Sequence, residues 1–202
     1  MRSLSEIDTI VKRASKGVGY SWGIAEEVGK NIKLLETYGL SGLKNLNDYF
    51  NSLKSKKFQH LTHISPENQS KIPYCPIIAG TSFLDQIDEL KDLVNIKIEN
   101  MSYPILFLPF LSRASEIIGK KLILNFDENK FLLNFNVNIS SNFTKDNFPT
   151  LANNIQIHFL DNKDNFNELE WKNLYKLSEE TFVEETDSLK KGAAGAGLTD
   201  ND

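Results

Sequence analysis

The chain has 202 residues, of which 40% are hydrophobic and 25% charged, enough for one domain, or one domain with a small appendage, around a sizeable core. Net charge is −4, yet residues 1–57 carry ten Lys/Arg against six Asp/Glu (+4) and residues 161–202 carry five against eleven (−6). Nothing at the start reads as a secretory leader, the longest apolar run (Tyr103 to Leu111) is broken by Pro104 and Pro109, and the single Cys75 excludes an internal disulfide; a cytoplasmic protein that does not enter a membrane is expected.

In chain order, the spacing of Leu4, Ile7, Val11 and Ala14 predicts a first helix, opened by a capping box at Ser3 and Glu6 and stopped at Gly17. A second helix starts at Ser21, with Trp22, Ala25, Val28, Ile32 and Leu35 along one face, and ends at Gly39. Ser41 begins a third, with Leu43, Leu46, Phe50 and Leu53 inward. The glycine-rich stretch between the first two helices, "SKGVGYSWGIAEEVGK", invites a phosphate-loop reading. A dinucleotide fingerprint needs G-x-G-x-x-G after a strand, and here Trp22 stands where the third glycine belongs, after a helix. Gly29-Lys30-Asn31 likewise lacks the Ser/Thr of a Walker loop. The stretch is a bend, with Gly17 and Gly19 relaxing the turn and Gly23 and Gly29 allowing another element close. Two helices across such a bend also outline a DNA-binding unit, but the second offers Glu26, Glu27 and Glu36 beside Lys30 and Lys33 and no arginine, so no nucleic-acid partner is expected.

After a polar connector the periodicity changes. "CPIIAGT" reads as a short apolar strand, Phe83-Leu84 and Ile87 to Leu93 as helical, and Val94, Ile96 and Ile98 as an alternating strand. "YPILFLP" reads as a buried strand and "FLSRASEIIGK" as a helix. "KLILNF" and "KFLLNFNVNIS" flank a hairpin turn at Asp127-Glu128-Asn129, "NIQIHFLD" is a further strand, and Leu169, Trp171, Leu174 and Leu177 mark a last helix. This order predicts an α+β protein: an N-terminal three-helix unit packed on a mixed, mostly antiparallel sheet with additional helices. The segments are a helical unit over 1–57, a connector over 58–73, an α+β domain over 74–189 and a Gly/Ala-rich acidic tail over 190–202.

The start "SLSEIDTIVKRASKGVGYSWGIAEEVGKNIKLLETYGLSG", the ending "GAAGAGLTDND", and "CPIIAGT" and "PILFLPFLSRAS" between them resemble a family of uncharacterised bacterial proteins carried as a domain of unknown function. The scarcity of arginine, present only at Arg2, Arg13 and Arg113, fits an A+T-rich bacterial genome. The resemblance implies no activity, cofactor or partner; it does imply that the C-terminus belongs to the protein's design.

That C-terminus, with Gly195, Gly197, Leu198, Asp200 and Asp202, has too few bulky side chains for a core of its own. It suits docking on a protein partner or a second copy, its terminal charges meeting a basic patch or a hard cation; a frayed tail is the plain alternative. Cys75, Arg113 and His158 are candidate catalytic groups, and Tyr20 and Trp22 candidate walls of a pocket. Cys75 would need a base from His60, His63 or His158, or else is a small buried hydrophobe. Arg113 would hold a substrate carboxylate, or else cap the surface. His158, between Ile157 and Phe159, lies on the polar face of its strand. His60, His63 and Cys75 supply three zinc ligands without a fourth, so no metal or cofactor is expected. The carboxylates Glu179, Glu180, Glu184, Glu185 and Asp187 share one hydrophilic run, whereas acid–base pairs need unlike environments. The leading expectation is therefore an accessory or binding protein, an oligomer or the partner subunit of a metabolic enzyme, docking through its tail. The alternative is a small-molecule enzyme with a pocket near Cys75, Ser82, Arg113 and His158.

Overall fold

Helices α1 (Leu4–Gly17), α2 (Trp22–Thr37) and α3 (Gly42–Ser52) form where the apolar spacing places them in a computed structural model that describes residues 2–142 and 147–182. Only half of the expected capping box at α1 is made. Ser3 Oγ accepts from the Glu6 amide at 3.1 Å, but the Glu6 carboxylate turns to Arg2. Ser21 caps α2, accepting from the Ile24 amide. Ala25, Val28, Ile32 and Leu35 of α2 are buried as expected, but Trp22 is 57% exposed, with Lys16 Nζ 5.7 Å from its ring centre. As the first residue of the helix it lies at the end of the stripe that the other four extend. In α3 the inward residues are Leu46 and Tyr49, while Leu43 faces solvent; Ser41 gives no side-chain cap, and Glu36 instead accepts from the Leu43 amide at 2.8 Å.

Two expected strands are helical. "CPIIAGT" begins α4 (Pro76–Asp85), capped by Cys75, and Pro76 sits in the first turn, where its missing amide costs nothing. "YPILFLP" forms a 3-10 turn (Pro104–Leu106) leading into α6 (Leu108–Ile118). A short, wholly apolar run has no periodicity to separate strand from helix, and two prolines suit the first turns of helices better than a central strand. The segment after α4 contributes only the single turn α5 (Ile87–Leu90). Close approach decides two glycines. A Cβ at Gly29 would strike the Asp8 carboxylate and lie 2.8 Å from Lys12 Cγ, and a Cβ at Gly80 would fall on the Phe110 ring. Gly23, by contrast, faces open space.

The strands are β1 (Glu67–Asn68), β2 (Asn95–Ile98), β3 (Met101–Ser102), β4 (Lys121–Phe126), β5 (Asn129–Leu133), β6 (Ile139–Ser141), β7 (Leu151–Ala152) and β8 (Ile155–Leu160). Six form a sheet in the order β1-β2-β8-β4-β5-β6, antiparallel except for β1 with β2; β3 and β7 pair separately. A two-residue turn at Asp127-Glu128 sets the β4–β5 register, with Phe126 opposite Asn129 and Leu124 opposite Phe131. The expected long second strand of this hairpin divides into β5 and β6. Alternation sends Leu122, Leu124, Phe126, Phe131, Leu133, Ile155 and Ile157 to one face, where α6 covers β4 and β5. The N-terminal helices pack chiefly on α4, α6 and the 3-10 turn. The fold is α+β, with three N-terminal helices, a mixed six-stranded sheet and further helices.

The chain separates into two units, one ending at Asn162 and one beginning at Lys163. The second contains α7 (Glu168–Glu179), opened by a full capping box between Asn167 and Glu170. Among the described residues no helix is long and apolar enough to cross a membrane.

Candidate functional site

The most concentrated chemistry in the first unit lies around Cys75, where the turn between α1 and α2, helix α3 and the start of α4 meet. Cys75 is 1% exposed, and its Sγ accepts from the Ile78 amide at 3.4 Å as the cap of α4. The Tyr49 hydroxyl lies 2.9 Å from Sγ and the Tyr20 hydroxyl 3.6 Å from it, and the two hydroxyls are 3.1 Å apart. Burial first, and then the negative charge Cys75 would carry as a thiolate, raise both phenols well above the ordinary tyrosine range. Both hydroxyls therefore remain protonated donors at neutral pH. A nucleophilic cysteine needs a base or a positive field. The hydrogen-bonding side-chain partners of Cys75 are phenols, not histidine, which gives this thiol a structural surrounding.

The sequence patterning does not single out Tyr49. Its position three residues after Leu46, on the inward face of α3, was the available signal. Its ring also packs against Phe50, Phe58 and Tyr103, with centres 5.3 to 6.0 Å apart. Tyr20 has a second role, because its outer side lines a cavity of about 360 Å³. Val18, Ile24, Leu53 and Ile78 supply the apolar lining, with Ser21 and His60 as its polar members. Trp22 does not line this cavity.

The remaining candidates lie apart. Arg113, on α6, is engaged by the Glu27 carboxylate and by Asn31 Oδ1 at 3.3 Å. Burial works against the charge on Glu27, yet hydrogen bonds from Lys30 and Arg113 hold its carboxyl below the ordinary range. Near this pair are two buried side-chain atoms without a hydrogen-bond partner among the described residues, Asn31 Nδ2 and Ser112 Oγ. Ser82 is half-buried in α4, one turn beyond Ile78. His158 pairs in register with Asn95 and Ile123, on the sheet face opposite Ile155 and Ile157. His60 and His63 are exposed while Cys75 is buried, and among the described residues no group of three or more His, Cys, Asp or Glu is placed to hold a metal. Glu179 and Glu180 face solvent. Glu184, Glu185 and Asp187, and the tail residues Gly195, Gly197, Leu198, Asp200 and Asp202, lie outside the described residues.

The second unit presents a different feature. No residue of α7 is buried, although Trp171, Leu174 and Tyr175 follow helical spacing along one side, with Leu177 beside them; these four are 53% to 65% exposed. Phe166 stacks on Trp171, ring centres 5.5 Å apart, and prolongs the stripe past the capping box. Among its own described residues, this unit has no other helix or strand to cover the stripe.

A family model described as "Protein of unknown function (DUF3726)" matches residues 2–75. No curated protein and no solved structure matches the chain. The matched stretch runs through α1, α2, α3 and the connector as far as Cys75. Tyr20, Tyr49, His60 and Cys75 lie within it; "PILFLPFLSRAS" and the C-terminal motif do not.

Proposed function

We propose that this is a binding or accessory protein that attaches to a protein partner through its C-terminal region, with α7 as the docking helix. One observation carries this reading: α7 holds a continuous apolar stripe that the described residues of its own unit do not bury. An amphipathic helix of this kind is recognised by an apolar groove that receives side chains at i, i+3 and i+4, here Trp171, Leu174 and Tyr175. The surrounding charge favours a groove with a basic rim, because residues 161–202 carry a net −6. Asp200 and Asp202 of the tail are among these charges.

The test uses Trp171 as its own reporter. The chain has two tryptophans, so Trp22→Phe leaves Trp171 as the sole source of tryptophan fluorescence. Material purified gently from its own cells is expected to show blue-shifted, quencher-protected emission, which becomes solvent-like when assemblies are separated at high salt. Emission that is solvent-like throughout would contradict docking through α7.

A further inference from the structure

We infer that the cavity beside Tyr20 binds a small organic acid, a carboxylate head on a short apolar body. This rests on residues of the first unit and is independent of docking through α7. The volume of about 360 Å³ lies at the small end of the range for ligand sites, about 300–1,000 Å³, which favours a compact ligand over a dinucleotide. Val18, Ile24, Leu53 and Ile78 form an apolar surface suited to an alkyl chain or a single ring. The Tyr20 hydroxyl is engaged by Tyr49 and Cys75, so Tyr20 contributes wall and not head recognition.

The polar members define the head. The His60 imidazole makes no hydrogen bond among the described residues and is exposed at the cavity. Ser21 Oγ accepts from the Ile24 amide, which leaves its own hydrogen available to donate. No Asp or Glu lines the cavity, so an ammonium head would find no counter-charge there. The surrounding helical segment, residues 1–57, is net +4, and Lys16 sits over Trp22, the residue after Ser21. An imidazole and a hydroxyl donor above an apolar floor, with no carboxylate in the lining, match a carboxylate.

Octanoate and benzoate are the probes for the full chain, with octylamine and octanol as head-group controls, followed by calorimetry and by NMR of the His60 ring. At least one acid is expected to saturate at one per chain and move the His60 ring signals. His60→Ala, a change on an exposed loop, should weaken it about tenfold, the scale of one hydrogen bond to a charged group. Ile24→Trp should abolish binding by filling the cavity, and Leu53→Trp does the same from another wall if the first variant does not fold. Leu174→Glu on α7 should leave affinity unchanged, which separates this site from the docking helix. Failure of both acids to saturate below about 10 mM would overturn the inference. So would octylamine or octanol binding as tightly as the acids, or an affinity unaffected by His60→Ala.

Discussion

Helix α2 buries Ala25, Val28, Ile32 and Leu35 along one face, whereas α7, with Trp171, Leu174 and Tyr175 at similar spacing, buries none of them. Both stripes are visible in the sequence by the same periodicity. In α2 the stripe lies in the hydrophobic core, and each large apolar side chain removed from water there contributes about 1.5–3 kcal/mol. In α7 the same chemistry is present without that gain. Periodicity identifies a face that needs cover; whether the cover is the protein's own core or another molecule decides if the helix serves stability or recognition.

The largest expected effect sharpens this contrast. Ile32→Ala or Leu35→Ala in α2 should cost about 2–5 kcal/mol in urea unfolding, from lost burial and the cavity left behind. Leu174→Ala in α7 should stay within about 0.5 kcal/mol, as for a surface site. A comparable loss at Leu174 would break the comparison, because it would mean α7 contributes to the stability of the folded chain. Next comes Gly80→Ala, whose Cβ meets the Phe110 ring and should destabilise by about 1–3 kcal/mol through overpacking.

Smaller effects come from polar groups. Tyr49→Phe removes a buried hydroxyl from Cys75 and Tyr20 and should cost about 1 kcal/mol, whereas Tyr175→Phe on α7 should be silent. The same phenols give stability a dependence on alkaline pH. Their pKa values are raised in the folded state, so above about pH 10 the unfolded chain ionises them while the folded chain holds their protons. The unfolded state then binds fewer protons, and stability is full below pH 10 and falls above it, by about 1.4 kcal/mol per pH unit for each phenol. Denaturation midpoints across pH 9 to 11 should decline less steeply in Tyr49→Phe; identical slopes would contradict the buried, protonated pair.

The smallest effect is at Glu27, whose carboxyl is held low by Lys30 and Arg113. Its contribution is present above about pH 4.3, the unfolded value, and is lost as pH falls through the lower folded one. Glu27→Gln should therefore lower stability near pH 7 and flatten the acid limb of the stability curve.

The sequence shows more of the fold than of the site. Alternation in "KLILNF" locates β4 at its observed bounds and "NIQIHFLD" locates β8 to within one residue at each end, and Ser21 marks the start of α2. The misread segments, "CPIIAGT" and "YPILFLP", are uniformly apolar, and only their prolines distinguish a helix start from a strand. The cluster of Tyr20, Tyr49 and Cys75 joins residues 29 and 26 positions apart, a convergence that the turn between α1 and α2, helix α3 and the start of α4 create by packing and no local spacing announces. Trp22 and Trp171 show the same limit: each belongs to an apolar pattern, and exposure depends on neighbours elsewhere in the chain or beyond it.

The most direct test of the docking account is native mass spectrometry of the protein purified gently from its own cells, comparing the wild type with Trp171→Glu/Leu174→Glu. The account predicts that the wild type carries a stoichiometric protein, either a foreign chain or a second copy, and that the double variant, folded and equally stable, appears as the bare 22.9 kDa chain. A wild type found only as the bare chain, or an assembly that the double variant retains intact, would contradict it.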